Sequence, residues 1–185
     1  MSYFKTIPIA TKVKGRKVLI FDTNGEYTEG QFADNDIPNM PIQRLAIKDI
    51  DAWCHTENSE CRRIDAKNLG IKEKKEAIQY IIKKYRNGML VLDDINTYIL
   101  SMTHMEEIVG GLVNLRHRGV DVLISYQRLR AVEPVILGNS RWVRMHYQED
   151  DIDDIKGKIT QTGLFKISQL IVNGQFFNGN ERFHL

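Results

Sequence analysis

Gly88-Met-Leu-Val-Leu-Asp-Asp94 and, one amphipathic stretch later, Leu115-Arg-His-Arg-Gly-Val-Asp-Val-Leu-Ile-Ser-Tyr-Gln127 decide the fold. Each contains a mainly apolar run of strand length that ends on polar side chains, Asp93 and Asp94 in the first and Gln127 in the second. Between them Tyr98, Met102, Met105, Val109, Leu112 and Leu115 recur at helical spacing and predict a helix ending near Gly119. Strand, helix and strand in that order imply a parallel pair joined by a crossover, with its polar residues gathered at the carboxyl ends.

Working outward, Lys17-Val-Leu-Ile-Phe-Asp22 reads as another buried strand, running into the turn Thr23-Asn-Gly25. Ile78, Ile81, Ile82 and Tyr85 predict an amphipathic helix over Lys72 to Arg86, capped by Asn87-Gly88. Ser2 to Lys14 has helical spacing disturbed by Pro8 and stopped by Gly15; residues 28 to 41 suit a loop, Gln43 to Ile50 a short strand, and 51 to 71 have no decisive pattern. Downstream, Val132 to Leu137 predicts a short helix ending at Gly138, Trp142 to Tyr147 alternates like a strand, and the acidic run Glu149 to Asp154 suits the start of a helix. Leu164 to Phe183 reads as strands around the turns Asn173-Gly174 and Asn178-Gly179. The expectation is an α/β core over residues 1–160, a mainly parallel sheet with helices on both faces, and a C-terminal β-hairpin extension of the same domain over 161–185. Asp22, Asp93, Asp94 and Gln127 then converge at strand ends.

The chain has 185 residues, 42% hydrophobic and 27% charged, which is the composition of an ordinary globular domain able to bury roughly 70% of its unfolded surface. Its longest apolar runs fall far short of the roughly 20 residues of a membrane span, so no membrane insertion is expected. Two cysteines and a start of Met-Ser-Tyr-Phe-Lys argue against a disulfide scaffold and a signal peptide, hence a cytoplasmic protein. The net charge of +2 hides a basic segment, with arginines at 116, 118, 128, 130, 141 and 144 against Asp121 and Glu133, that favours phosphate-bearing partners.

Phosphoryl transfer to water needs a phosphate cradle, hydrated magnesium, a group that orients water and a cation for the developing charge. Asp93 is placed to hold magnesium, Asp94 to polarise water, and Gln127 to order that water or sense the γ-phosphate. Arg116 and Arg118, at the far end of the intervening helix, suit a neighbouring subunit's nucleotide. Each residue also has a plainer reading: the Asp pair as a turn or helix cap, Gln127 as a loop residue, and the arginines as carbonyl partners at a helix end. Glu26 suits either nucleotide or water contact or a surface turn. Cys54-His55 and Cys61 match no standard zinc spacing and read as buried or incidental.

Gly88 to Asp94 resembles a Walker B motif, Lys17-Val-Leu-Ile-Phe-Asp-Thr-Asn-Gly-Glu-Tyr27 resembles the D-x-x-G-E-Y strand and turn of the FtsK/HerA superfamily, and Leu115 to Gln127 is similar to its sensor strand. The same segments are similar to viral packaging and Zot-like phage assembly ATPases. Together they cover about residues 1 to 147. The resemblance implies a RecA-like P-loop NTPase core and a homo-hexamer or ring using ATP and magnesium to move double-stranded DNA, with a viral assembly partner in an infected bacterial or archaeal host. It leaves two alternatives: a catalytically inactive assembly or DNA-binding subunit, and an assembly or secretion ATPase acting on protein. Asp94 stands where many members carry glutamate. No G-x-x-x-x-G-K-[ST] occurs in the sequence; in the family that loop precedes the Lys17–Asp22 strand by one helix. Met1-Ser2 falls where its last residues should stand. The resemblance thus implies either an artificial start, with Ser2 at the magnesium-binding hydroxyl position, or lost nucleotide binding. The strand belonging to the loop would lie between the Val120–Tyr126 and Trp142 strands, whose edges otherwise lack partners unless the strand order differs.

Overall fold

The computed structural model describes residues 15–27, 42–95, 105–147, 149–155 and 162–180. Ser2, the expected helix at 2–14, the expected loop at 28–41 and the start of the 98–115 helix lie outside them. The chain divides into two compact units, Met1–Ser125 and Tyr126–Leu185.

The first unit is built on five parallel strands, β1 Lys17–Asp22, β2 Ile42–Arg44, β3 Cys61–Asp65, β4 Gly88–Leu92 and β5 Val120–Ile124, in the order β2-β3-β1-β4-β5. The apolar runs explain the order. Strands β1 and β4 are buried at every position and take inner places, whereas β5 is buried only at Val120 and Leu123 and pairs with β4 alone among the described strands. The helices are α1 Ile50–Cys54, α2 Ile71–Lys84 and α3 Met105–Asn114. In α2 the residues Ala77, Ile78 and Ile81 face the core. Glu73 accepts a hydrogen bond from the Gly70 N–H at its start (2.7 Å), and the Arg118 guanidinium donates to the carbonyls of Ile82 (2.6 Å) and Lys83 (2.8 Å) at its end.

Strands β1 and β4 close tightly at their amino ends. A Cβ on Gly88 would stand 2.2 Å from the Lys17 carbonyl oxygen and 2.3 Å from the Tyr85 hydroxyl, which itself donates to that carbonyl at 2.8 Å. Gly88→Ala must therefore push the two strands apart or evict the hydroxyl. We expect a loss of about 1–3 kcal/mol in unfolding free energy by urea titration; an unchanged midpoint would mean the strands part without cost. Beside this contact Trp53 stacks on Tyr85, donates to Glu60 (3.0 Å), and lies under the cationic heads of Arg62 and Lys17 at 5.6 and 5.9 Å.

The second unit holds α4 Pro134–Asn139 and α5 Thr162–Phe177. Proline at the first helical position suits α4. Ile152 is fully buried, with Leu129, Leu137 and Phe165 packed on it.

Four sequence expectations need correction. The predicted C-terminal hairpins are α5: Asn173-Gly174 sits inside a helix, where glycine is tolerated at a cost of about 1 kcal/mol. Gly179 takes a left-handed φ of 84° and donates to the Phe176 carbonyl, so Asn178-Gly179 ends a helix and does not turn a hairpin. Trp142 to Tyr147 forms no strand; it finds no ladder partner among the described residues, and Trp142 and Val143 are exposed. Gln43 to Ile50 holds only the last two residues of β2 before a 3-10 turn at Ile47–Asp49 leads into α1. The acidic run yields a 3-10 turn at Ile152–Ile155, and residues 156–161 lie outside the described set.

Candidate functional site

At the carboxyl end of β1, Asp22 is fully buried and organises the following turn. Its Oδ1 accepts from the backbone N–H groups of Gly25 (2.7 Å) and Glu26 (3.0 Å), and its Oδ2 accepts from Tyr27 N–H (3.2 Å) and from Arg63 Nη1 (2.7 Å). Arg63 reaches it from β3, with its side chain 7% exposed. Asp22 is thus a structural carboxylate, its charge balanced by a buried guanidinium. The turn it holds leaves the Glu26 side chain in solvent and carries Thr23 and Asn24 across to β4.

There Thr23 Oγ1 donates to the Asp93 carbonyl at 3.2 Å, and Asn24 Nδ2 donates to Asp94 Oδ2 at 3.3 Å. From the other side comes Ser125, the first residue after β5. Its Oγ donates to Asp93 Oδ1 at 2.7 Å and accepts the Asp94 N–H at 3.0 Å; its own N–H bonds the Leu92 carbonyl at 3.0 Å. Asp94 is 7% exposed and takes a left-handed φ of 52°, a conformation that aspartate and asparagine accept more readily than other side chains. The two carboxylates therefore sit in a fixed turn, gripped by one hydroxyl from β5 and two side chains from the β1 turn.

The structure brings Asp22, Asp93 and Asp94 to one end of the sheet. Gln127 is exposed and belongs to the second unit. Arg116 and Arg118 lie on the 3-10 turn Leu115–Arg118, which joins the opposite, amino end of β4 through Asn87 N–H to the Arg118 carbonyl. Arg116 is exposed, and Arg118 is engaged on the α2 carbonyls. Ser125, Thr23 and Asn24 escaped the sequence reading. The signal for Ser125 was register: Leu92 pairs with Ile124, so the next residue of each strand, Asp93 and Ser125, must meet.

Magnesium fits this donor set. Asp93 is a half-buried carboxylate at a strand end, and one or two carboxylates suit an ion that keeps most of its waters. Among the described residues no group of three or more His, Cys, Asp or Glu side chains comes together to hold a metal ion, as a caged site would require. Cys61 is buried, and burial pushes its thiol up to about 12; burial also raises Cys54, so neither behaves as a ready thiolate. Among the described residues no helix is long and apolar enough to cross a membrane.

No protein-family model matches the sequence, and no curated protein does. Solved structures do. The chain is similar to the genome packaging NTPase B204 from Sulfolobus turreted icosahedral virus 2 in complex with AMP, with a TM-score of 0.58 and 20% identity over 89% of this chain and 76% of that one. The AMPPCP complex of the same protein gives 0.58 and 19% over the same shares. The crystal structure of B204, the DNA-packaging ATPase from Sulfolobus Turreted Icosahedral Virus, gives 0.54 and 16% over 89% and 77%. The fold is the α/β fold of a P-loop NTPase such as B204, with a parallel five-stranded sheet and helices.

Proposed function

We propose that the chain is an ATP-driven DNA translocase of the FtsK/HerA type, a subunit of a packaging motor that works as a homo-hexamer or ring. The observation that carries this is the Asp93–Asp94 pair, held at a parallel strand end by Ser125 and Asn24 in a fold like that of a genome packaging NTPase. The B204 complexes with AMP and AMPPCP support an adenine nucleotide as ligand.

In this reading Asp93 would hold hydrated magnesium, which would supply positive charge to the phosphate oxygens. Asp94 orients and polarises the attacking water, Asn24 fixes the direction of its carboxylate, and Ser125 keeps the two acids in register. Gln127 is the candidate sensor of the γ-phosphate, and Ser2, if it stands at the end of a phosphate loop, is the candidate hydroxyl for magnesium. Arg116 serves a neighbouring subunit's site; Arg118 can do so only by leaving the α2 carbonyls. Glu26, exposed on its turn, is free to meet nucleotide or water. The basic residues after Arg116 suit phosphate-bearing cargo.

A second reading, a non-catalytic assembly or DNA-binding subunit, is favoured by one feature: none of the 185 residues forms a G-x-x-x-x-G-K-[ST] loop. The deciding experiment measures magnesium-dependent ATP binding and hydrolysis by this chain and by the product of its whole reading frame, with and without double-stranded DNA. Hydrolysis stimulated by DNA supports the translocase. No nucleotide binding by either supports the inactive subunit, and hydrolysis that responds only to a protein partner supports an assembly or secretion ATPase.

A further inference from the structure

Each acid of the Asp93–Asp94 turn has one oxygen held by a neighbouring side chain. Asp93 Oδ1 accepts the Ser125 hydroxyl at 2.7 Å, and Asp94 Oδ2 accepts the Asn24 amide at 3.3 Å. The first hold is the stiffer. Ser125 is fastened to the segment 92–95 by its N–H on the Leu92 carbonyl (3.0 Å), by its carbonyl, which accepts the Ile95 N–H (3.3 Å), and by its hydroxyl oxygen, which accepts the Asp94 N–H (3.0 Å). With that oxygen accepting from Asp94, the one hydroxyl proton goes to Asp93, and the Asp93 carboxylate cannot turn without giving up a short bond. Asn24 stands on the turn that Asp22 holds through the N–H groups of Gly25, Glu26 and Tyr27.

A carboxylate anchored through one oxygen is disposed to meet a cation through a single bond. That suits magnesium, which takes about six oxygens in a tight octahedron, keeps several waters and asks the protein for one or two carboxylates. Calcium is larger, takes about six to eight oxygens and commonly chelates a carboxylate through both of its own. To do so here it would have to pull Asp93 off Ser125 or draw Asp94 off Asn24. No third acid offers itself instead. Asp22, at the same end of the sheet, is spent on its turn and on Arg63, and among the described residues no three His, Cys, Asp or Glu side chains gather to hold a metal ion. The hydrogen bonds that orient the two acids therefore oppose the larger ion and leave the smaller one its shell of water.

We infer that Ser125, supported by Asn24, is the positioning residue that makes this site take magnesium in preference to calcium. The inference rests on the ATPase reading, in which Asp93 meets the metal ion, and extends it by assigning the choice of ion to a hydroxyl just after β5. Its test needs no hydrolysis: the affinity of the product of the whole reading frame for AMPPCP is measured by calorimetry with magnesium alone and with calcium alone. We expect magnesium to support binding about tenfold or more tightly than calcium. Ser125→Ala lowers the magnesium-supported affinity by about 10- to 100-fold, the usual cost of removing a partner that orients a metal-holding side chain, and leaves the calcium-supported affinity within about threefold, so the preference disappears. A merely structural role for the hydroxyl would weaken binding with both ions alike. Ser125→Thr keeps a hydroxyl and keeps the preference, and Asn24→Ala, at an exposed position, reduces it by a smaller factor. A preference that survives Ser125→Ala, or one lost as fully in Ser125→Thr, overturns the inference. Binding that does not distinguish the two ions removes it and leaves the ATPase reading standing, whereas no AMPPCP binding with either ion removes both.

Discussion

Asp22→Asn is expected to lower the unfolding free energy of the first unit by about 3–5 kcal/mol, the usual consequence of removing one partner from a buried ion pair. The amide is nearly isosteric, so the loss is not one of volume. Its oxygen can still accept from Gly25 and Glu26, but its NH2 would face the Tyr27 N–H and Arg63 Nη1, two donors that now lack an acceptor. Arg63 is 5% exposed and would keep its charge in the core without compensation. Against a total of about 5–15 kcal/mol for a typical domain, such a loss is a fifth or more of the stability. Trp53 lies in the first unit and Trp142 in the second, so urea titration by fluorescence in a Trp142→Phe background reports the first unit alone. Arg63→Met in the same chain removes the orphaned charge and should restore most of the loss, giving a large coupling energy in the double-mutant cycle. A loss below about 1 kcal/mol would show that water reaches the guanidinium once the carboxylate is gone.

The second large effect belongs to catalysis and rests on the proposed ATPase. Asp94→Asn should lower kcat for ATP hydrolysis by about 10²- to 10⁴-fold, the range for loss of a group that accepts or directs a proton. Nucleotide affinity should change little. The substitution is clean because asparagine tolerates the left-handed φ of 52° at this position, so the backbone stays where Ser125 holds it. Ser125→Ala is the graded companion. It deletes one hydrogen bond to Asp93 and the acceptor for the Asp94 N–H, and a cost of about 1–2 kcal/mol corresponds to a loss near tenfold. Full activity in Asp94→Asn would return the Asp-Asp pair to the role of a turn and send the search for the water-activating group elsewhere.

What could be read from residues alone follows from how local the cause is. Strands β1, β4 and β5 and helix α2 announce themselves through apolar runs and a 3.6-residue period, and the carboxylate pair follows because it terminates one of those runs. Strand β3 does not, since Cys-Arg-Arg-Ile-Asp looks like surface until Asp22, 41 positions away, neutralises Arg63. Asp22 itself looked like part of a convergent acidic site, and only its four hydrogen bonds reveal that its capacity is spent on the turn. Gln127 drew attention as the larger polar group after β5, while pairing register brings Ser125, two residues earlier, to Asp93. The C-terminal segment misled for a different reason: Asn-Gly is common to hairpin turns and helix ends, and the choice depends on what the flanking apolar residues pack against.

The strand order also sets a clock. β1 leaves the ribosome before either of its neighbours exists, and the pairing of Phe21 with Leu92 waits for about 70 more residues, roughly 4–14 s at ordinary rates of synthesis. Until β3 follows about 40 residues later, Val18-Leu-Ile-Phe21, uncharged and rich in β-forming side chains, has no mate at all, and its β4 edge stays open for the whole interval. The yield of folded chain is therefore set by how long that segment is sheltered, and slowing translation between codons 22 and 92 should raise the share lost to aggregates unless a chaperone is supplied with it.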